Sequence, residues 1–108
     1  MTFTLLHNKN CSKSRACIQI LEEYNIKFEI REYIRKPLSL FEIKELISKL
    51  DGNKFDLLRS RPENIDNQNF EEFLFNNQKE LQRPIFFDGV KYVICRPPNK
   101  ILGLINDN

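Results

Sequence analysis

Cys11 stands in the stretch HNKNCSKSR (residues 7–15), with His7 before it and Lys13, Ser14 and Arg15 just after. A short apolar run precedes this stretch and an amphipathic one follows, which puts the cysteine in a loop at or just before a helix N-terminus. Unpaired N–H groups and the helix dipole at such a position favour a thiolate over a thiol, and they also favour a bound anion. His7, Lys13 and Arg15 add positive charge nearby. The predicted chemistry is a thiolate of lowered pKa beside an anion pocket, able to attack sulfur or an electrophilic oxyanion centre. Ser14 occupies the second position of a would-be CxxC, so a dithiol cycle within the motif is excluded. Turnover at this site therefore needs an outside thiol, or Cys95 if it can reach. Ser14 and Arg15 are candidates for stabilising the thiolate or the anion.

Three further basic residues fall at or near element boundaries beside apolar neighbours: Arg59 in DLLRSR, Arg83 in LQRPIFF and Arg96 in CRPP. Guanidinium groups present fixed planar donors suited to tetrahedral oxyanions, so the set reads as a substrate clamp, with Arg61 a close rival to Arg59. Cys17 shares the apolar side of the first helix with Ile20, Leu21 and Tyr24 and is expected in the core. Cys95 ends a strand next to Arg96, and the pattern leaves it either near the active face or buried.

These residues need elements to hold them. Residues 2–6 (TFTLL) read as a strand, a helix runs from Ser12 to an end at Asn25, and 26–33 alternates as a strand with Ile26, Phe28 and Ile30 on one face. Ser39 and Glu42 form a capping-box pair opening a helix with Leu40, Ile43, Leu46, Ile47 and Leu50 on one side, closed by Asp51-Gly52. Residues 54–60 predict a short helix, and 67–77 another with Phe70, Phe73 and Leu74 inward. Strands at 84–87 and 92–94 are joined through Asp88-Gly89, and Pro97-Pro98 opens a last helix over 99–105. The order β-α-β, helices, β-β-α is the thioredoxin topology with a helical insertion between its halves: an α/β fold, expected as one domain over 1–108. In such a fold the Arg83–Pro84 bond is expected to be cis and to face the cysteine.

Composition sets the outer limits. The chain has 108 residues, 41% of them hydrophobic and 30% charged, with a net charge of +2. Acidic and basic residues interleave and no basic helix stands apart, which speaks against direct nucleic-acid binding. Three cysteines and one histidine give neither a disulfide framework nor a zinc pattern. Neither a signal peptide nor an apolar run long enough for a bilayer is visible, so the expectation is a cytoplasmic protein with reduced thiols.

Taken in order, HNKNCSKSR with its helix, DLLR, LQRPI and ICRPP resemble the glutaredoxin-dependent arsenate reductase family (ArsC), within the wider ArsC/Spx group. The resemblance runs from Phe3 to about Ile105. It implies that Cys11 is the nucleophile attacking arsenate, that His7 helps lower its pKa, and that Arg59, Arg83 and Arg96 bind the oxyanion. It also implies glutathione as co-substrate, glutaredoxin as the partner completing reduction to arsenite, and no bound cofactor. Ser14 fits, because the second thiol comes from glutathione. After Arg59-Ser60 the sequence is shorter than the family's usual stretch. Two alternatives stay open: a glutathione-linked reductase of another substrate, and an Spx-like regulator that binds RNA polymerase, whose CxxC switch Ser14 would remove.

Overall fold

The computed structural model describes residues 2–105; the ends of the 1–108 span lie outside the described residues. Its elements are β1 (Phe3–His7), α1 (Ser12–Glu23), β2 (Phe28–Glu32), α2 (Leu40–Lys49), α3 (Phe70–Asn76), β3 (Ile85–Phe87), β4 (Tyr92–Ile94) and α4 (Ile101–Ile105), with short 3₁₀ turns at Lys54–Leu57, Gln78–Glu80 and Pro98–Lys100. The sheet order is β2-β1-β3-β4. β1 pairs parallel with β2 and antiparallel with β3, and β3 pairs antiparallel with β4. This is the thioredoxin-like α/β architecture expected from the element order.

Alternation along β1 and β3 divides the core between the two faces of the sheet. Leu5 lies opposite Phe86, and both pack with Cys17 and Leu21 of α1 and with Ile101 and Ile105 of α4. Leu6 lies opposite Ile85, and both join Ile43 and Leu46 of α2 and Phe70 and Leu74 of α3. A single residue of register therefore assigns each half of the chain to its own layer.

Local chemistry fixes the ends of the elements. Asn25 takes φ +56°, and α1 closes with bonds from Asn25 N to Glu22 O (3.1 Å) and from Ile26 N to Leu21 O (3.0 Å). That is a Schellman ending, with Asn in the left-handed position usually given to Gly. The Ser39–Glu42 capping box forms in both directions at the start of α2. Arg31 then ties β2 to that helix through an ion pair with Glu42 (2.7 Å) and clasps the Lys36 and Pro37 carbonyls. Three expected core positions differ: Tyr24, Ile30 and Leu40 are 49%, 48% and 42% exposed, Tyr24 because it is the C-cap that ends α1. Ile30 lies on an edge strand with a neighbour on one side only, and Leu40 sits in the first turn of α2, off the stripe that Ile43 and Leu46 bury.

Candidate active site

The loop between β1 and α1 is built by Asn8. Its carbonyl accepts from Cys11 N (2.9 Å), its side chain accepts from Asn10 N (3.0 Å), and its own N–H is directed at Ser14 Oγ (3.4 Å). Ser14 is fully buried and thus braces the loop from beneath. Cys11 is the N-cap of α1 in extended conformation (φ −102°, ψ 120°), with Arg15 N donating to its carbonyl at 3.1 Å. Its side chain makes no capping hydrogen bond; the ionised sulfur is what the site favours. Burial alone would raise the Cys11 pKa. The N–H groups of Ser14 and Lys13 and the guanidinium of Arg83 outweigh it and hold the thiol below its usual value.

Arg83 reaches this point through a paired segment. Leu58 bridges Leu81, Arg59 N donates to Glu80 O (2.8 Å) and Gln82 N to Leu57 O (2.6 Å), so the DLLR and LQRP motifs lie side by side. Arg83 Nη1 bonds the Lys79 and Leu81 carbonyls at 3.2 Å each, and the Arg83–Pro84 bond is cis, as is Arg96–Pro97. Arg59 is exposed, with its charge felt at the buried Tyr33. Arg61 instead lies over the Phe55 ring at 3.9 Å, which leaves Arg59 as the clamp candidate of the two. Arg96 Nη1 donates to the Arg83 carbonyl (2.8 Å), so it supports Arg83 from one step further out. It also lines a groove of about 670 Å³ with Gln82, Asp51, Asp56 and Lys100, to which Cys11 does not contribute.

The remaining candidates take different places. Arg15 is exposed and spends Nη1 on the Lys9 carbonyl (2.7 Å). His7 ends β1 opposite Glu32, 5% exposed, with Nδ1 unpartnered among the described residues. Burial pushes its pKa below the usual value; Glu32 opposes this and Arg15 adds to it. The ring is therefore uncharged at neutral pH, and the expectation that His7 supplies positive charge beside Cys11 is not met. Cys17 is fully buried, as expected, and Cys95 is buried too. The two share one core cluster, with Cys17 Sγ donating to the Pro98 carbonyl and Cys95 Sγ to the Val93 carbonyl (3.7 Å each), and the neighbouring Cys95, together with burial, keeps Cys17 protonated. Cys95 thus looks inward, not toward solvent.

Residues 6–104 match the ArsC family. The chain belongs to the ArsC family. Among relatives of this ArsC protein, an arsenate reductase of Haemophilus influenzae is 31% identical, over 97% of this chain and 100% of its own length. The global transcriptional regulator Spx 1 of Oceanobacillus iheyensis is 32% identical over 79% of this chain and 72% of that protein. The fold is that of an arsenate reductase structure from Vibrio cholerae, with a TM-score of 0.85, 24% identity and coverage of 97% and 98% of the two chains.

One neighbour of Arg83 carries no functional signal in the sequence of this ArsC chain. Tyr33, directly after β2, is 1% exposed and lies beside the Arg83 guanidinium. In the sequence it closes an alternating strand pattern and reads only as core, since nothing local shows where its hydroxyl ends up.

Proposed function

We propose that this protein reduces arsenate, with Cys11 as covalent catalyst. One observation carries the reading: helix N–H groups and the Arg83 guanidinium converge on a partly exposed Cys11 whose thiolate they favour. The same groups suit a tetrahedral oxyanion held against that sulfur. Cys11 attacks arsenic, an S–As bond forms, and one arsenate oxygen leaves as water. Arg83 and Arg59 neutralise the charged oxygens, Arg96 holds Arg83 in place, and His7 contributes shape and its unpartnered Nδ1 without a charge. A glutathione thiol then displaces a second oxygen as water and bonds the arsenic; glutaredoxin attacks that glutathione sulfur, so the glutathione–arsenic bond breaks with its electron pair left on arsenic and a glutaredoxin–glutathione disulfide forms. Water releases arsenite from Cys11, and a second glutathione frees glutaredoxin as glutathione disulfide. One arsenate and two glutathione thiols give one arsenite, one glutathione disulfide and one water.

The test is NADPH oxidation in the presence of arsenate, glutathione, glutathione reductase and glutaredoxin. Wild type is expected to turn over and Cys11→Ser to be inactive. An inert wild type whose Cys11 still reacts with a thiol reagent would overturn arsenate as the substrate and leave a glutathione-linked reductase of another compound. A second reading has its own observation, the identity with Spx 1. In it the fold binds RNA polymerase without the CxxC switch, and retention of purified polymerase on the immobilised protein would support it.

A further inference from the structure

Tyr33 sits in the core with its hydroxyl buried and without a partner among the described residues. A phenylalanine would fill the same space without that cost, so an unpaired buried hydroxyl asks for a use. Its surroundings are not apolar on every side. The Arg83 guanidinium lies beside it, and the charges of Cys11 and Arg59 reach it. Arg83 is the same side chain that acts on Cys11, and its Nε is a second buried group without a partner. Arg83 therefore joins two buried unsatisfied donors, the Tyr33 hydroxyl and its own Nε, to the sulfur it acts on.

Tyr33 is held from two sides. Arg31 clasps the Lys36–Pro37 backbone that follows it, and Gln78 bonds both the N–H and the carbonyl of Leu38 (2.8 and 2.7 Å). These bonds fix the chain that follows Tyr33, while the ring itself is packed in the core cluster with Leu6, Leu57 and Leu81; a donor held by packing is effective toward developing negative charge.

We propose that the Tyr33 hydroxyl, together with Arg83 Nε, donates a hydrogen bond to an oxygen of the tetrahedral oxyanion held against Cys11, which makes Tyr33 a further catalytic residue. The proposal rests on the reading of Cys11 as an oxyanion-attacking thiolate. No bond to Tyr33 forms or breaks; the hydrogen bond tightens as negative charge grows on the oxyanion oxygens during attack. Burial pushes the phenol pKa up against the pull of Arg83, and the Cys11 charge adds to the rise, so the group keeps its proton and remains a donor.

The test is Tyr33→Phe in the full chain, with four measurements. Protection of Cys11 from iodoacetamide by arsenate or by inorganic phosphate should need roughly 10- to 100-fold more oxyanion, and kcat/KM for arsenate should fall by a similar factor. The melting temperature should not drop and the pH titration of Cys11 should stay in place, because only an unpaired hydroxyl is lost. Unchanged protection in the variant overturns the proposal, as does weaker protection accompanied by a lower melting temperature or a displaced Cys11 titration. Absence of any oxyanion protection in wild type also overturns it. A wild type that arsenate and phosphate protect but that does not reduce arsenate removes the proposed reaction alone; the protection measured in Tyr33→Phe still decides the role of Tyr33.

Discussion

Cys11 caps the N-terminus of α1, and Cys17 lies less than two turns further along the same helix. Cys11 is partly exposed, with helix N–H groups and Arg83 drawing its proton off. Cys17 is fully buried, donates to the Pro98 carbonyl and is held in its neutral form. Residue type and helix are the same, so the difference comes from position alone. An open helix end plus a cation imported from the other half of the chain makes a nucleophile; an apolar layer beneath the sheet makes a packing residue. The largest expected effect follows directly. Native protein treated with iodoacetamide should label Cys11 at least about a thousandfold faster than Cys17, since access to Cys17 requires the core to open. Peptide mapping by mass spectrometry reads this ratio, and similar labelling of the two would break the comparison.

Arg83 is where the contrast can be weakened in steps. Arg83→Ala removes the cation beside Cys11, so the thiol pKa should rise and the plateau of alkylation against pH should move to higher pH. Arsenate kcat/KM should fall about 10- to 100-fold, the range expected for charged hydrogen bonds. Arg83→Lys keeps a charge but loses the planar fork, so its thiol titration should lie nearer wild type than its turnover does. Titration and turnover both near wild type in Arg83→Lys would mean that charge alone matters. An unshifted Cys11 titration in Arg83→Ala would leave the helix N-terminus as the whole cause.

The two regions also differ in how far the sequence reveals them. The loop, the capping box of α2, the Asn25 stop and the β3–β4 hairpin are local patterns, and they appear where residue spacing puts them. Cys17 is legible for the same reason, through its place on a helical stripe. Arg83 could be singled out only as one of a set, because its approach to Cys11 depends on pairing between Leu58 and Leu81, far apart in the chain. Tyr33 carries no local signal at all, since tyrosine suits a strand end equally well with its hydroxyl in water. The charge state of His7 was out of reach as well: a histidine in a polar stretch looks cationic until β2 and α1 bury it. Exposure of Ile30 follows from the edge position of β2, which is a property of strand order and not of the alternation along the strand.

His7 gives the smallest of the expected effects and sharpens the comparison from the acid side. Its folded pKa lies below the unfolded value of about 6.5 because burial penalises the imidazolium first, with Arg15 adding to this and Glu32 opposing it. Above that value the ring is neutral in both states and stability owes nothing to pH through His7. As pH falls below it, the unfolded chain takes up a proton that the folded chain resists, so stability should decline toward the lower folded pKa and then level off. This is the only histidine in the chain, which leaves the interval from about pH 6.5 down to the carboxylate range free of other side-chain titrations of this kind. His7→Gln should flatten the decline in denaturant midpoints across that interval. Because the ring is uncharged at neutral pH, the same variant should leave the Cys11 titration close to its wild-type position. A large upward shift of that titration in His7→Gln would show that the imidazole acts on the sulfur through a hydrogen bond that forms only with the thiolate, and Cys11 would then owe its ionisation to both strand end and helix end.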